Sequence, residues 1–303
     1  MCSTSRQRYF MEERENRITR PFTGKVRMLL VALDYEGTAS PLNCTVDTER
    51  IAAAARQAGV RDITRLYDSD KLGRDDQPSA DIVRLTIGEI GSRCAPEDYF
   101  VFCYSGHGSS VENPDAPSGL DCLLCLRNNG KDETMVDNEI AETITDYFHP
   151  DSRILILCDA CKSGGIMDAD TPGIWGRLKA CAISGCQEYQ CSVDTGNGGV
   201  MTNALLKCIN HRAIRHMRKR RAVSVQYIFN RMVECMPDDD GSSSDYSSDE
   251  WDSQWGSDEE SYYSSDYSDD YSDDERLGED DGYQDLNLSW PGGCDPSRIA
   301  FPF

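Results

Sequence analysis

His107 lies in the stretch Tyr104-Ser105-Gly106-His107-Gly108. Cys161 follows 54 positions later, in Cys158-Asp159-Ala160-Cys161-Lys162-Ser163-Gly164-Gly165. A cysteine reacts as its thiolate, and an imidazole within hydrogen-bond reach can take the thiol proton and later return it to a leaving group. Such a pair is the machinery of a cysteine hydrolase, provided that the fold brings the two side chains together. Each stretch follows an apolar run that reads as a buried strand: Tyr99-Phe100-Val101-Phe102-Cys103 before the histidine and Ile154-Leu155-Ile156-Leu157 before the cysteine. In an open α/β sheet the residues just past the carboxyl ends of parallel strands line the ligand crevice. His107 and Cys161 are therefore expected at one edge of one sheet.

The elements that must place them alternate along the chain. Residues 25–33 predict a strand buried on both faces in its second half, and Asp34-Tyr35-Glu36-Gly37 predicts a turn. A helix is expected over 48–58, opened by Asp47 and stopped by Gly59. A short strand over 62–67 and a helix over 80–92 follow. After the histidine loop come a loop over 113–117, a strand over 120–126 and a helix over 136–148 with Asp137 near its start. The second central strand is 153–158; another strand is expected over 178–183, and helices over 200–209 and 227–236. Strands alternating with helices at this spacing imply an α/β fold, a mainly parallel sheet flanked by helices on both faces.

The charge is concentrated in one place. The chain of 303 residues carries a net charge of −22, yet residues 238–282 alone hold 19 acids and one base, Arg276. The rest balances 34 acids against 30 bases, so the acidity says little about the folded part. That Ser/Asp/Tyr tract has too few aliphatic residues to repay the entropy of ordering and is expected to be disordered. Residues 211–221 (HRAIRHMRKRR) are strongly basic. They read as a solvated helix face or loop, as a weak nucleic-acid signal, or as an internal partner for the acidic tract.

The charged residues near the start, among them Arg6, Glu12, Arg14 and Arg20, leave no apolar core for a signal peptide. No run reaches the roughly 18 apolar residues that a membrane span needs. The expectation is a cytoplasmic, reduced chain whose 14 cysteines are mostly small buried hydrophobes. Cys122/Cys125 and Cys158/Cys161 have CxxC spacing, but along a strand i and i+3 point to opposite faces, which disfavours zinc.

Taken together, YSGHG and DACKSGG resemble the caspase-like cysteine peptidases, and specifically the metacaspases; a caspase-type Cys signature with a His about 50 residues upstream is a known pattern. The resemblance runs from residue 25 to 236. It takes in the opening strand, the 43–47 stretch, Ala182-Ile183-Ser184-Gly185-Cys186-Gln187 and Gly198-Gly199-Val200-Met201-Thr202, and it resumes over 284–303. It implies a caspase-like sandwich in which the peptidase domain (25–236) is followed by the acidic disordered tract as an insertion (237–282) and a closing segment that returns to the domain (283–303); residues 1–24, charged and without clear periodicity, read as a mobile arm.

The resemblance also implies roles. Cys161 would be the nucleophile and His107 its base, with the backbone N–H groups of Gly108 and Cys161 as the oxyanion hole. The family cleaves after Arg or Lys, and Asp47, Ser105 and Asp159 match its P1 pocket; Asp47 reads equally as a helix N-cap, and Asp159 as a loop residue bonding nearby amides. Many members need calcium, at positions matching Asp121, Asp137, Asn138 and Asp168. Asn138 replaces an Asp there and so removes one charge, while Asp137 also reads as a helix cap and Asp121 and Asp168 as surface loops. Lys162 stands where the family usually has His, a cation that could lower the thiol pKa or point to solvent. Arg177 and Lys179 fall where relatives are often self-cleaved. The implied partners are protein or peptide substrates with Arg or Lys at P1, without nucleic acid or membrane; a monomer and no organic cofactor are expected. A different class of function, a non-catalytic caspase-like binding module acting through its acidic tract, is disfavoured by the intact His107 and Cys161.

Overall fold

The computed structural model describes residues 23–68, 77–116, 118–128, 130–169, 171, 173–187, 190, 198–211, 214–215, 218, 222–236 and 284–303. The N-terminal arm to residue 22, the acidic tract and most of the basic run lie outside the described residues.

The chain opens with β1 (Val26–Ala32), whose burial on both faces follows from its unbroken apolar run. Helix α1 (Cys44–Gln57) leads to β2 (Asp62–Tyr67), and α2 (Ala80–Gly91) to β3 (Tyr99–Ser105). An antiparallel excursion follows: β4 (Gly108–Glu112), β5 (Leu120–Asn128) and β6 (Lys131–Val136). Next come α3 (Asp137–Tyr147), β7 (Arg153–Asp159), β8 (Lys179–Ser184), α4 (Val200–Asn210) and α5 (Val225–Val233). The chain closes with a short β9 (Asn287–Ser289). The main sheet has the order β2-β1-β3-β7-β8-β9, parallel from β2 to β8 and antiparallel at β9; β4, β5 and β6 make a second, three-stranded sheet.

Strand alternation divides the core. Met28, Leu30 and Ala32 face α1, α4 and α5, whereas Leu29, Val31 and Leu33 face α2 and α3. The helices sort in this way because the chain reverses its direction of travel across the sheet after β2, and right-handed crossovers then put the next helices on the opposite face. The point of reversal lies between β1 and β3. That is the place where open α/β sheets bind their ligands.

Two helix starts differ from expectation. Helix α1 begins one turn earlier than residue 48, so Asp47 lies in its first turn and is not its N-cap. The cap comes from outside the helix: Asp34, just past β1, accepts the Thr45 N–H at 2.8 Å and the Thr45 hydroxyl at 2.7 Å. Asp137 is the first residue of α3 and likewise not its N-cap, which is Val136. By contrast, Ser79 caps α2 through Ile82 N–H. Strands β4 and β6 were not expected. Their sequences, GSSVE and KDETMV, are mostly polar because these strands of a small antiparallel sheet are largely exposed.

At the amino end of the sheet, buried Arg27 donates to Asp98 at 2.6 Å, an ion pair that holds β1 to the turn before β3. No two of the described cysteines are joined by a disulfide. Among the described residues, no helix is long and apolar enough to cross a membrane.

Candidate active site

Ser105 ends β3 and Asp159 ends β7, and the two are direct partners in the parallel register. The histidine loop and the cysteine loop therefore leave adjacent strands side by side. Gly106 N–H donates to Asp159 O at 3.3 Å, the first contact beyond the ladder.

The main chain of His107 is held at both ends. Its N–H donates to the Tyr35 hydroxyl at 2.9 Å, and its carbonyl accepts from the Tyr104 hydroxyl at 2.7 Å and from Cys125 N–H at 3.1 Å. The Tyr35 hydroxyl in turn donates to Cys125 O at 2.6 Å. Burial pushes both phenols upward, so both stay protonated and available as donors. Gly106 has to be glycine in this arrangement: a Cβ would sit 2.7 and 2.8 Å from the Tyr104 and Tyr35 hydroxyl oxygens. The His107 ring packs against Tyr35 with centroids 4.5 Å apart.

The ring Nε2 lies 2.8 Å from Ser40 O, in the loop after β1. A carbonyl oxygen only accepts, so Nε2 carries the proton and Nδ1 is the basic nitrogen of the neutral ring. The bond joins the loops that leave β1 and β3, which are adjacent strands of the sheet. The sequence offered no signal for Ser40, because its contribution is a backbone carbonyl.

Cys161 is half-buried, on the turn that follows β7. A Cβ on Gly108 would lie 2.1 Å from Cys161 O and 3.2 Å from the Ala160 methyl group. The start of β4 is thus pressed directly onto the cysteine loop, and a side chain at 108 would separate the two. Lys162, the next residue, is left-handed (φ 55°, ψ 25°) and half-buried; its N–H donates to Gln190 O at 2.9 Å. A lysine in that region costs about 1 kcal/mol, offset here by the contacts on both sides.

The three residues matched to a P1 pocket also converge. Burial pushes the Cys44 thiol well up, and Ser105, Asp47 and Asp159 all lie close enough to act on it. Asp47, Ser105 and Asp159 are 2%, 3% and 5% exposed, so the carboxylates are covered by protein. The cover is the start of α4. Asp47 accepts Gly199 N–H at 2.8 Å and Asp159 accepts Thr202 N–H at 2.9 Å. Cβ atoms on Gly198 and Gly199 would collide with these carboxylates, at 1.9 Å from Asp47 and 2.2 Å from Asp159.

Asp121, Asp137 and Asp168 form a second group. Asp137 is 1% exposed and accepts Cys122 N–H at 3.1 Å and Asn138 N–H at 2.9 Å. Burial first, then the charges of Asp168 and Asp121, push its carboxyl up to about 7. Asp121 accepts the Asn113 amide at 2.9 and 3.0 Å, and Asp168 is left-handed at φ 47°. Calcium takes six to eight oxygens in close array. Among the described residues no group of three or more His, Cys, Asp or Glu side chains is arranged to hold a metal ion.

Arg177 and Lys179 stand apart. Lys179 is the first residue of β8, paired with Arg153 at the amino end of β7, and Arg177 is exposed beside Asp151 at 3.5 Å. His107 and Cys161 lie beyond the other end of β7, about 20 Å away at ~3.3 Å per strand residue.

The family described as "Metacaspase, peptidase C14 domain" matches residues 26–170, from β1 to just past the cysteine loop. The chain is similar to Metacaspase-2 of Trypanosoma brucei brucei, 26% identical over 226 residues that cover 62% of this chain and 65% of that protein. It is also similar to Metacaspase-1 of Arabidopsis thaliana, 28% identical over 165 residues, 45% of each. The chain thus matches just under two thirds of the first relative's length and less than half of the second's. A crystal structure of a Geobacter sulfurreducens protein shares the fold, with a TM-score of 0.52 at 23% identity over 71% of this chain and 90% of that one.

Proposed function

We propose that the chain, which matches the metacaspase peptidase domain over residues 26–170 and is similar to named metacaspases, is a metacaspase-type cysteine endopeptidase cleaving peptide bonds after Arg or Lys. The observation that carries this is the seating of Gly108 on the carbonyl of Cys161, which locks the base loop and the nucleophile loop together.

In the proposed reaction Nδ1 of His107 takes the Cys161 thiol proton, and the sulfur attacks the substrate carbonyl carbon. The carbonyl oxygen gains the charge and is met by the N–H groups of Gly108 and Cys161. The C–N bond then breaks, and the imidazolium proton goes to the leaving amine. Water hydrolyses the thioester with His107 again as base. The tautomer that this requires is the one favoured by the Ser40 carbonyl on Nε2.

Basic-residue selection rests on Asp47 and Asp159, two buried carboxylates that lie with Ser105 around the Cys44 thiol. A P1 guanidinium or ammonium would share their oxygens with the amides of α4. Calcium enters the proposal as a cation drawn to three mutually repelling carboxylates, with no catalytic step assigned to it. Cleavage after Arg177 or Lys179 belongs to the proposal as an event between two molecules.

The test is hydrolysis of fluorogenic peptides ending in Arg, Lys or Asp by the full chain and by Cys161→Ala. Turnover of the Arg and Lys peptides that vanishes in the variant is expected. Preference for the Asp peptide would overturn the specificity, and no Cys161-dependent turnover would overturn the enzyme.

A further inference from the structure

Two buried thiols that do no chemistry in this scheme lie against the nucleophile loop. Cys186, just past β8 and 0% exposed, places Sγ 3.3 Å from Ala160 O and 3.1 Å from Gln190 O. Cys122, on β5 and 5% exposed, places Sγ 3.0 Å from Lys162 O. Ala160 and Lys162 are the residues on either side of Cys161.

A peptide unit is planar and trans, so its N–H points opposite to its C=O. The carbonyl of Ala160 shares a plane with the N–H of Cys161, the group assigned to the oxyanion hole. Whatever fixes Ala160 O therefore aims that N–H. The next plane is fixed by Gly108 against Cys161 O and by Lys162 N–H on Gln190 O. The plane after it carries Lys162 O, which Cys122 holds. Three consecutive planes are thus held, two of them by S–H donors. The Cys186 proton is shared between Ala160 O and Gln190 O, which ties the turn to the chain beyond β8.

We propose that Cys186 and Cys122 are positioning residues: their S–H groups orient the peptide planes around Cys161 so that its N–H is aimed at the developing oxyanion. A thiol suits this place. It is a weak donor that packs as a small hydrophobe in a dry site, where a hydroxyl with no second partner would be costly. Burial also keeps a neighbouring thiol, Cys158, firmly protonated, so the surroundings favour S–H over thiolate.

This inference rests on the peptidase reading, and the experiment separates the two. Alkylation of Cys161 by iodoacetamide forms no oxyanion, whereas peptide hydrolysis does. Cys186→Ala, Cys186→Ser and Cys122→Ala are prepared as full chains. The kcat and KM for an Arg-terminated peptide are measured beside the rate of Cys161 carboxamidomethylation, read by mass spectrometry. Cys186→Ala is expected to lower kcat about tenfold, less than the ~100-fold of deleting an oxyanion donor outright, with KM and the alkylation rate within about twofold of wild type. Cys186→Ser, which keeps a donor, is expected to recover most of kcat. Cys122→Ala is expected to lower kcat about threefold with alkylation unchanged, and it decides the matter if Cys186→Ala is insoluble. Unchanged kcat in the alanine variants, or alkylation slowed as much as hydrolysis, overturns this inference alone. A wild type without Cys161-dependent turnover overturns the peptidase reading and this inference with it.

Discussion

The carboxylate of Asp159 accepts the N–H of Thr202 at 2.9 Å, across 43 residues of sequence. Thr202 lies in the first turn of α4, whose own N-cap, Gly199, has no side chain to supply a cap. Asp159 fills that role, and Asp47 takes the Gly199 N–H beside it. The two residues matched to substrate selection therefore also hold a helix terminus, where a carboxylate is favoured by the helix dipole.

These two roles separate by mutation. Asp159→Ala removes acceptor and charge together and is expected to cost about 1 kcal/mol, a fall in Tm of about 2–4 °C. Asp159→Asn keeps an oxygen acceptor and should retain most of that stability. Both variants should lose roughly 30-fold or more in kcat/KM for an Arg-terminated peptide, the effect of losing about 2 kcal/mol of buried ion pairing. Calorimetry beside kinetics checks this; an Asn variant that cleaves the Arg peptide like wild type would remove Asp159 from the pocket.

Gly108 tolerates no side chain. A Cβ there would stand 2.1 Å from Cys161 O, a backbone atom that cannot swing aside. Gly108→Ala should fold, since β4 can move outward, and lose about 100-fold or more in kcat as the oxyanion donors part. Near-wild-type kcat with an unchanged Tm would mean that the two loops need not touch.

Asp137 gives stability a pH dependence. Its folded value of about 7 stands above the 3.8 of the unfolded chain. Between those values the folded state holds a proton that the unfolded state releases, so rising pH erodes stability until about 7, beyond which the loss is complete. Relative to Asp137→Asn, the wild-type Tm should fall between pH 5 and about pH 7 and run parallel above it. Added calcium at pH 8 should raise the wild-type Tm more than that of the variant. Parallel curves throughout would show that Asp137 is not held protonated.

Self-cleavage, where it occurs after Arg177 or Lys179, should be second order in protein. Both residues lie at the amino end of the sheet, and Lys179 is paired into β8, about 20 Å from the thiol. Dilution should slow the reaction in proportion, and catalytic wild type should cut Cys161→Ala supplied in excess. A half-life independent of concentration would contradict this.

Much of the candidate site's placement was legible in the chain because its strongest signals are local. The histidine and cysteine stretches each follow an unbroken apolar strand, and parallel pairing of those strands is enough to bring Ser105 beside Asp159. The rest depends on contacts that leave no mark in sequence. Ser40 and Ala160 act through carbonyls, which every residue has. Tyr35 falls in a predicted turn and Tyr104 opens the histidine stretch, and neither position hints that their hydroxyls clamp the His107 backbone. Asp47 preceded a good helical run and so resembled a cap, while the actual cap, Asp34, is ten positions before the helix begins. Polar strands such as GSSVE carry little periodic signal when one face is wet.

On the proposed function, Cys161 is the nucleophile of a site that accepts a basic P1 side chain. Intact-protein and peptide mass spectrometry after treatment with a peptidyl acyloxymethyl ketone ending in Arg tests it most directly. One adduct is predicted, located on Cys161, absent from Cys161→Ala, strongly slowed in His107→Ala, and not formed at a comparable rate by the Asp-terminated reagent. Labelling of another cysteine, or equal labelling by the Asp reagent, would contradict the account.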